Sequence, residues 1–273
     1  MRTLTSDKES TTKSFGRQQV LPVPKLIILA SFAAIAAAEA VFAYGSSTLG
    51  LGLALFTVIA SYLAISFIKL PQEAADCVQS LALVPIYILL TASLPWFFVN
   101  RDLVLPAVYL VVLALCAWHM YEKRLSLRDV GLKFSGQLSY MAWGAVAAIP
   151  LGAIEFAILP QYRPASTFQF AYFLRDLIYM LFFVGLAEEV LFRGILQGRF
   201  IRVFGRNFGL LLAMALFGIM HLTWHSWLEV GFTAAIGLLL GLVYLRSGSL
   251  AGPIVIHGVA NVVLVSVMPY FIG

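Results

Sequence analysis

After residue 25 the chain is a succession of long apolar runs broken by short polar gaps. A helix of about 20 apolar residues crosses the hydrocarbon core of a bilayer. On that measure the runs predict nine spans, at 26–44, 49–69, 77–99, 102–121, 137–159, 170–197, 208–222, 229–246 and 250–272. The expected fold class is all-α, a polytopic transmembrane helical bundle of about eight or nine spans. The polar stretches divide it. Residues 1–24 read as a cytoplasmic tail and 25–121 as a four-helix membrane region. The connector 122–136, EKRLSLRDVGLKFSG, separates these from a second membrane domain at 137–273.

Composition supports this division. Hydrophobic residues make up 61% of the chain and charged residues 11%, under half the usual share of about 25% in soluble domains. The net charge of +5 is therefore not a nucleic-acid signal, because Lys and Arg collect in the cytoplasmic loops of membrane proteins. Lys123, Arg124, Arg128 and Lys133 place the connector inside. Arg199, Arg202 and Arg206 mark a second basic loop, RFIRVFGRN, on the same side. The result is a multi-pass protein of the cell membrane with its N-terminus in the cytoplasm and, after nine spans, its C-terminus outside. The first run lacks a cleavage site and reads as a retained helix. Cys77 and Cys116 lie in or beside apolar runs without a CxxC spacing, which argues against a disulfide or a cysteine zinc site.

Ionisable groups inside such spans are the informative residues. Each costs at least about 2.5–3.5 kcal/mol to insert, so it usually faces the bundle interior and has a task. Glu39, Glu155, Glu188, Glu189, Arg193, His221 and His257 qualify, while Arg175 and Asp176 fall nearer the outer interface. Glu189 and Arg193 are four residues apart and share a helix face, so they can pair. Glu188 is turned about 100° away, with Leu191 and Phe192 at its own i+3 and i+4 positions. It must find a partner on another helix. His221 has Phe217 one turn before it, and His257 has Asn261 one turn after it. A carboxylate, an imidazole and a pair of donors are what water attack on an amide requires. His225 lies four residues after His221, but Leu222 stands where the glutamate of HExxH would be. Trp224 and Trp227 place His225 at the membrane interface, and His119 reads the same way.

EEVLFR (188–193), FGIMH (217–221) and HGVAN (257–261) fit EExxxR, FxxxH and HxxxN in order. In this the chain resembles the CPBP family of intramembrane proteases, which includes the type II CAAX prenyl endopeptidases and bacteriocin-processing, Abi-like proteins. The resemblance covers about 137–273 and leaves the first four helices unaccounted for. It implies that Glu188 and His221 activate water while His257 and Asn261 stabilise the oxyanion. It also implies that Glu189, Arg193 and Phe217 shape the site. The substrate implied is a membrane-embedded or lipidated protein or peptide, such as a CAAX C-terminus. Zinc held by Glu188, His221 and His257 is an option for this donor set. A carboxylate–histidine pair can also activate water alone, and no cofactor is favoured.

Two other function classes use the same residues. A non-catalytic immunity or scaffold protein would keep the bundle and not the reaction. A proton-coupled transporter would titrate Glu39, Glu155 and Glu188, although no internal repeat is visible. Span positions raise one geometric difficulty. His221 lies toward the outer end of its run, whereas His257 and Glu188 lie nearer the inner ends of theirs. Their meeting predicts a short or tilted helix carrying His221 and a cavity open to the cytoplasm.

Overall fold

The computed structural model describes residues 22–93, 99–159 and 168–271, so most of the predicted tail lies outside the described residues. Among these residues the regular structure is all helix, with no strand. Nine helices among the described residues are long and apolar enough to cross a membrane. A bilayer core offers no water to an open backbone, and a helix satisfies its own N–H and C=O groups. The helices are α1 (Pro22–Tyr44), α2 (Ser47–Phe67), α3 (Gln72–Ser93), α4 (Arg101–Glu122) and α5 (Leu138–Ile158). They continue with α6 (Phe170–Phe204), α7 (Arg206–Ile219), α8 (Trp227–Ser247) and α9 (Ala251–Tyr270). Phe56, Trp143 and Phe182 point outward, as expected of a surface whose solvent is lipid. The protein is an integral, multi-pass membrane protein.

One segment departs from the sequence expectation. Residues 199–204 were predicted to form a basic loop. They instead continue α6 for two further turns, and the chain reverses at Gly205, where φ is +83°. A left-handed φ is open to glycine at no steric penalty. The first basic side chain of this stretch finds a partner: Arg199 donates to Asp76 at 3.2 Å, a carboxylate that Lys123, just past the end of α4, also reaches at 3.1 Å. The α6 helix is also not uniformly α-helical. Met180–Gly185 and Val190–Gln197 are π-helical, bracketing a single α turn at Leu186–Glu189. Such π segments are frequent at functional sites.

Helix directions separate two ends of the bundle. One end gathers the start of α1, the connector, the Gly205 reversal and the start of α9, with ten of the Lys and Arg residues from Lys25 to Arg246. The opposite end carries the starts of α4 and α6, where Arg175 pairs with Asp102 and Asp176, each at 2.8 Å. The connector folds back into the bundle. Gly131 accepts a hydrogen bond from the Leu250 N–H at 2.8 Å, and a Cβ on Gly194 would meet the Val130 carbonyl at 2.8 Å. Thus α9 begins level with Gly194, well inside the turn at Gly205.

Backbones pack closely around α9. A Cβ on Gly152 would lie 2.3 Å from the Ala260 carbonyl, and one on Gly258 would lie 2.9 Å from that of Met180. Small residues at these crossings let helices approach where lipid supplies no hydrophobic drive. The buried core joins both halves of the chain: Ile28, Leu81 and Val112 pack in one cluster with Phe192, Phe200 and Leu216.

Candidate active site

Depth is set by the antiparallel pair α6 and α7. Glu188 lies seventeen residues before Gly205 and His221 sixteen after it, so each stands about 25 Å from the turn at 1.5 Å per residue. His257 and Glu188 each lie six residues beyond the level shared by Ala251 and Gly194. The three therefore meet near mid-bundle. The geometric difficulty resolves because α6 overshoots at the basic end and α9 begins deep, and because α7 is only 14 residues long.

Glu188, His221, His257, Phe217 and Asn261 all line one cavity of about 330 Å³. Leu105, Leu159, Trp224 and Leu264 carry its wall toward the end opposite the basic loops. The lining thus runs away from the basic end, the end toward which span positions predict the opening. The connector and the start of α9 fill that side, and the space lies beyond Glu188 instead.

The two adjacent glutamates have different partners, as their 100° separation predicts. Glu189 is fully buried and accepts from Arg193 Nη1 at 2.8 Å. It also accepts from His257 Nδ1–H at 2.8 Å. This second bond was not foreseen, since helix periodicity pairs Glu189 with Arg193 alone. Arg193, 1% exposed, donates further to the Gly237 carbonyl at 3.3 Å and stacks 4.2 Å from the Phe217 ring centroid. Phe217 is a hub, with ring centroids 5.0 Å from His221 and 5.8 Å from His257. The pair of Glu189 and Arg193 thus fixes the face that His257 presents to the cavity.

Glu188 Oε2 lies 3.8 Å from His257 Nε2, just outside hydrogen-bond range. Its other oxygen accepts from the Tyr109 hydroxyl at 2.7 Å. Tyr109 comes from α4, in the half of the chain that carries no motif, and sequence reasoning missed it. A tyrosine in an apolar run carries no local signal for a partner 79 positions away. His221 Nδ1–H donates to the Phe217 carbonyl one turn back at 2.8 Å. That bond fixes the tautomer, leaving Nε2 with a free lone pair in the neutral ring. Asn261 stands one turn past His257 on the cavity wall.

The remaining candidates divide. Glu155 lines the same cavity. Glu39 is buried on α1 in a separate space. His225 is exposed and packs edge-on to Tyr44, which stacks on Trp227, in keeping with an interfacial position. His119 differs from expectation. It is 1% exposed and shares a hydrogen bond of 3.1 Å with Ser80, because α3 covers that face of α4. For a metal, the donor types suit zinc but their placement does not. No group of three His, Cys, Asp or Glu side chains among the described residues converges to hold an ion.

Residues 170–263 match the family model described as type II CAAX prenyl endopeptidase Rce1-like. This stretch is similar to that family. It contains Glu188, Glu189, Arg193, Phe217, His221, His257 and Asn261, and excludes Tyr109, Glu39 and Glu155. A protein of Bacillus subtilis (strain 168), "Uncharacterized protein YpbD", is 34% identical over 88 residues. The shared stretch is 32% of this chain and 42% of that protein, less than half of either. No solved structure gives a significant match.

Proposed function

We propose that the protein is an intramembrane endopeptidase that hydrolyses a peptide bond of a membrane-associated protein or peptide. The observation that carries this reading is the convergence of Glu188, His221, His257 and Asn261 on one cavity inside the bundle. The Rce1-like match over the segment bearing all four supports it.

In the reaction, a water held between Glu188 and His221 Nε2 attacks the carbonyl carbon of the scissile amide. Glu188 takes the water proton as general base. The oxyanion of the tetrahedral intermediate is held by the Asn261 amide and His257. Because His257 Nδ1–H is committed to Glu189, its Nε2 donates only as imidazolium. Two carboxylates facing one guanidinium leave a negative charge for that imidazolium to balance. Preorganised donors of this kind are usually the largest single contribution to such catalysis. Glu188 then passes its proton to the amide nitrogen, the C–N bond breaks, and the new carboxylic acid gives its remaining proton to the departing amine, so that a carboxylate and an ammonium leave. Each step uses only this chain's residues and water. No step is assigned to zinc, since no group of three ligands among the described residues is placed to hold an ion. Tyr109 holds the Glu188 carboxylate in place throughout.

The substrate class follows from the setting. A cavity at mid-bundle is reached by a segment already in the membrane or anchored to it by a lipid, and CAAX-type C-terminal processing fits that description. The distribution of Lys and Arg supports a setting in the cell membrane with the basic end in the cytoplasm. The test uses purified protein in nanodiscs with a fluorogenic CAAX peptide, farnesylated or bare. Cleavage of the farnesylated form alone supports lipid-anchored substrates. Cleavage that is equal in wild type, Glu188→Ala and His221→Ala overturns the proposal.

A further inference from the structure

Hydrolysis consumes one water per turnover, and a substrate filling the main cavity closes the front of Glu188. Space exists behind it. Tyr109 and Glu188 also line a second cavity of about 50 Å³, on the α3 and α4 side, together with Tyr87 and Val108. A void needs roughly 10–15 Å³ to hold one water, so this one has room, and it carries the polar partners a water requires. Tyr87 and Val108 in turn form the wall of a third cavity of about 300 Å³. That cavity holds Glu39, 3% exposed on α1, and extends to Thr223 and Ala92, both exposed at the end opposite the basic loops. The catalytic chemistry described above gives Glu39 no part, yet a buried carboxyl in a membrane helix is too expensive to keep without a task.

We propose that α1, α3 and α4 build a water route from that end of the bundle, past Glu39 and through the Tyr87–Val108 partition, to the back of Glu188. The ligand of this site is water, and the route supplies the nucleophile while substrate occupies the front. This rests on the reading of Glu188 as the base that activates water. It gives the first four helices a role in the reaction beyond the Tyr109 contact.

The partition is the place to test it. Val108→Phe fills the wall between the two rear cavities, and the expected result is a kcat about tenfold lower with KM unchanged. A second measurement needs no catalysis. In a chain carrying Cys77→Ala and Cys116→Ala, a thiol is placed at Val108 or at Thr223. Silver ion, which goes where water goes, is added to proteoliposomes, and the remaining thiol is counted with maleimide in SDS. Consumption of both thiols is expected, with a buried Leu83→Cys control left free. Wild-type kcat in folded Val108→Phe overturns the route. So does a Val108→Cys thiol left free while Thr223→Cys is consumed. If Val108→Phe does not fold, the silver result decides. If wild type cleaves nothing, the reading of Glu188 fails, and silver still reports whether water reaches it.

Discussion

Removing the Arg193 guanidinium strands a carboxylate in the middle of the bundle. Glu189 is fully buried, Arg193 is 1% exposed, and their charged atoms lie 2.8 Å apart. Glu189 Oε2 has no donor of its own, so both partners, Arg193 and His257, serve Oε1. Breaking a buried pair from one side costs about 3–5 kcal/mol. In Arg193→Met the His257 bond survives, which puts the expected loss near the lower bound, about 3 kcal/mol or more than 100-fold in the folding equilibrium. Arg193→Met combined with Glu189→Leu removes the stranded charge along with the pair. Since a buried pair replaced by apolar side chains is often neutral, the double variant recovers most of the loss. Reversible unfolding in mixed micelles, followed by circular dichroism, measures both. A single-variant loss under about 1 kcal/mol, the range of an exposed pair, would refute the reasoning. Strict additivity of the two substitutions would refute it as well.

Four further outcomes are expected. Tyr109→Phe keeps the ring and loses one hydrogen bond to a charged group, worth about 1.5–3 kcal/mol, so Tm falls in thermal scans and kcat falls about tenfold with KM unchanged in steady-state cleavage. Gly152→Val drives a side chain into the Ala260 carbonyl and lowers Tm by several degrees, whereas Gly52→Val meets nothing within 4 Å and leaves it unchanged. Cleavage persists in EDTA, because no group of three ligands among the described residues is placed to hold an ion; loss on chelation with recovery on zinc would contradict this. In the connector, the Ser126 hydroxyl and N–H hold the Asp129 carboxyl below its ordinary value. A depressed folded value means this contact contributes above the unfolded value, about 3.9, and is lost as pH falls through the folded one. Ser126→Ala therefore moves the Asp129 titration upward by NMR.

Much of the fold was legible because the bilayer imposes one solution on each apolar run. All nine predicted spans correspond to helices, most within a few residues at each end. The misjudged stretch, 199–204, reads as a loop by charge. Its Arg199 pairs with Asp76, more than a hundred residues away, and no local pattern carries that. Within the site, the contacts set by helix periodicity were readable: Glu189 with Arg193, and His221 with the Phe217 turn. Those set by tertiary packing were not. Tyr109 reaching Glu188, and His257 bonding Glu189 and not Glu188, depend on how α4 and α9 lie against α6. The π-helical segments on either side of Glu188 shift the helix face in a way that a constant 100° per residue misses. The side on which the cavity opens depends on the depth at which α9 starts, which the connector sets through the bond from Leu250 to Gly131.

The central claim is that Glu188 and His221 activate water for peptide hydrolysis. It is tested most directly by mapping new protein termini in host-cell membranes incubated with purified wild type, Glu188→Gln or His221→Ala, each shown to be folded by its Tm. Wild type is expected to yield a set of new C-termini that is absent with both variants. The same termini appearing with Glu188→Gln would contradict it.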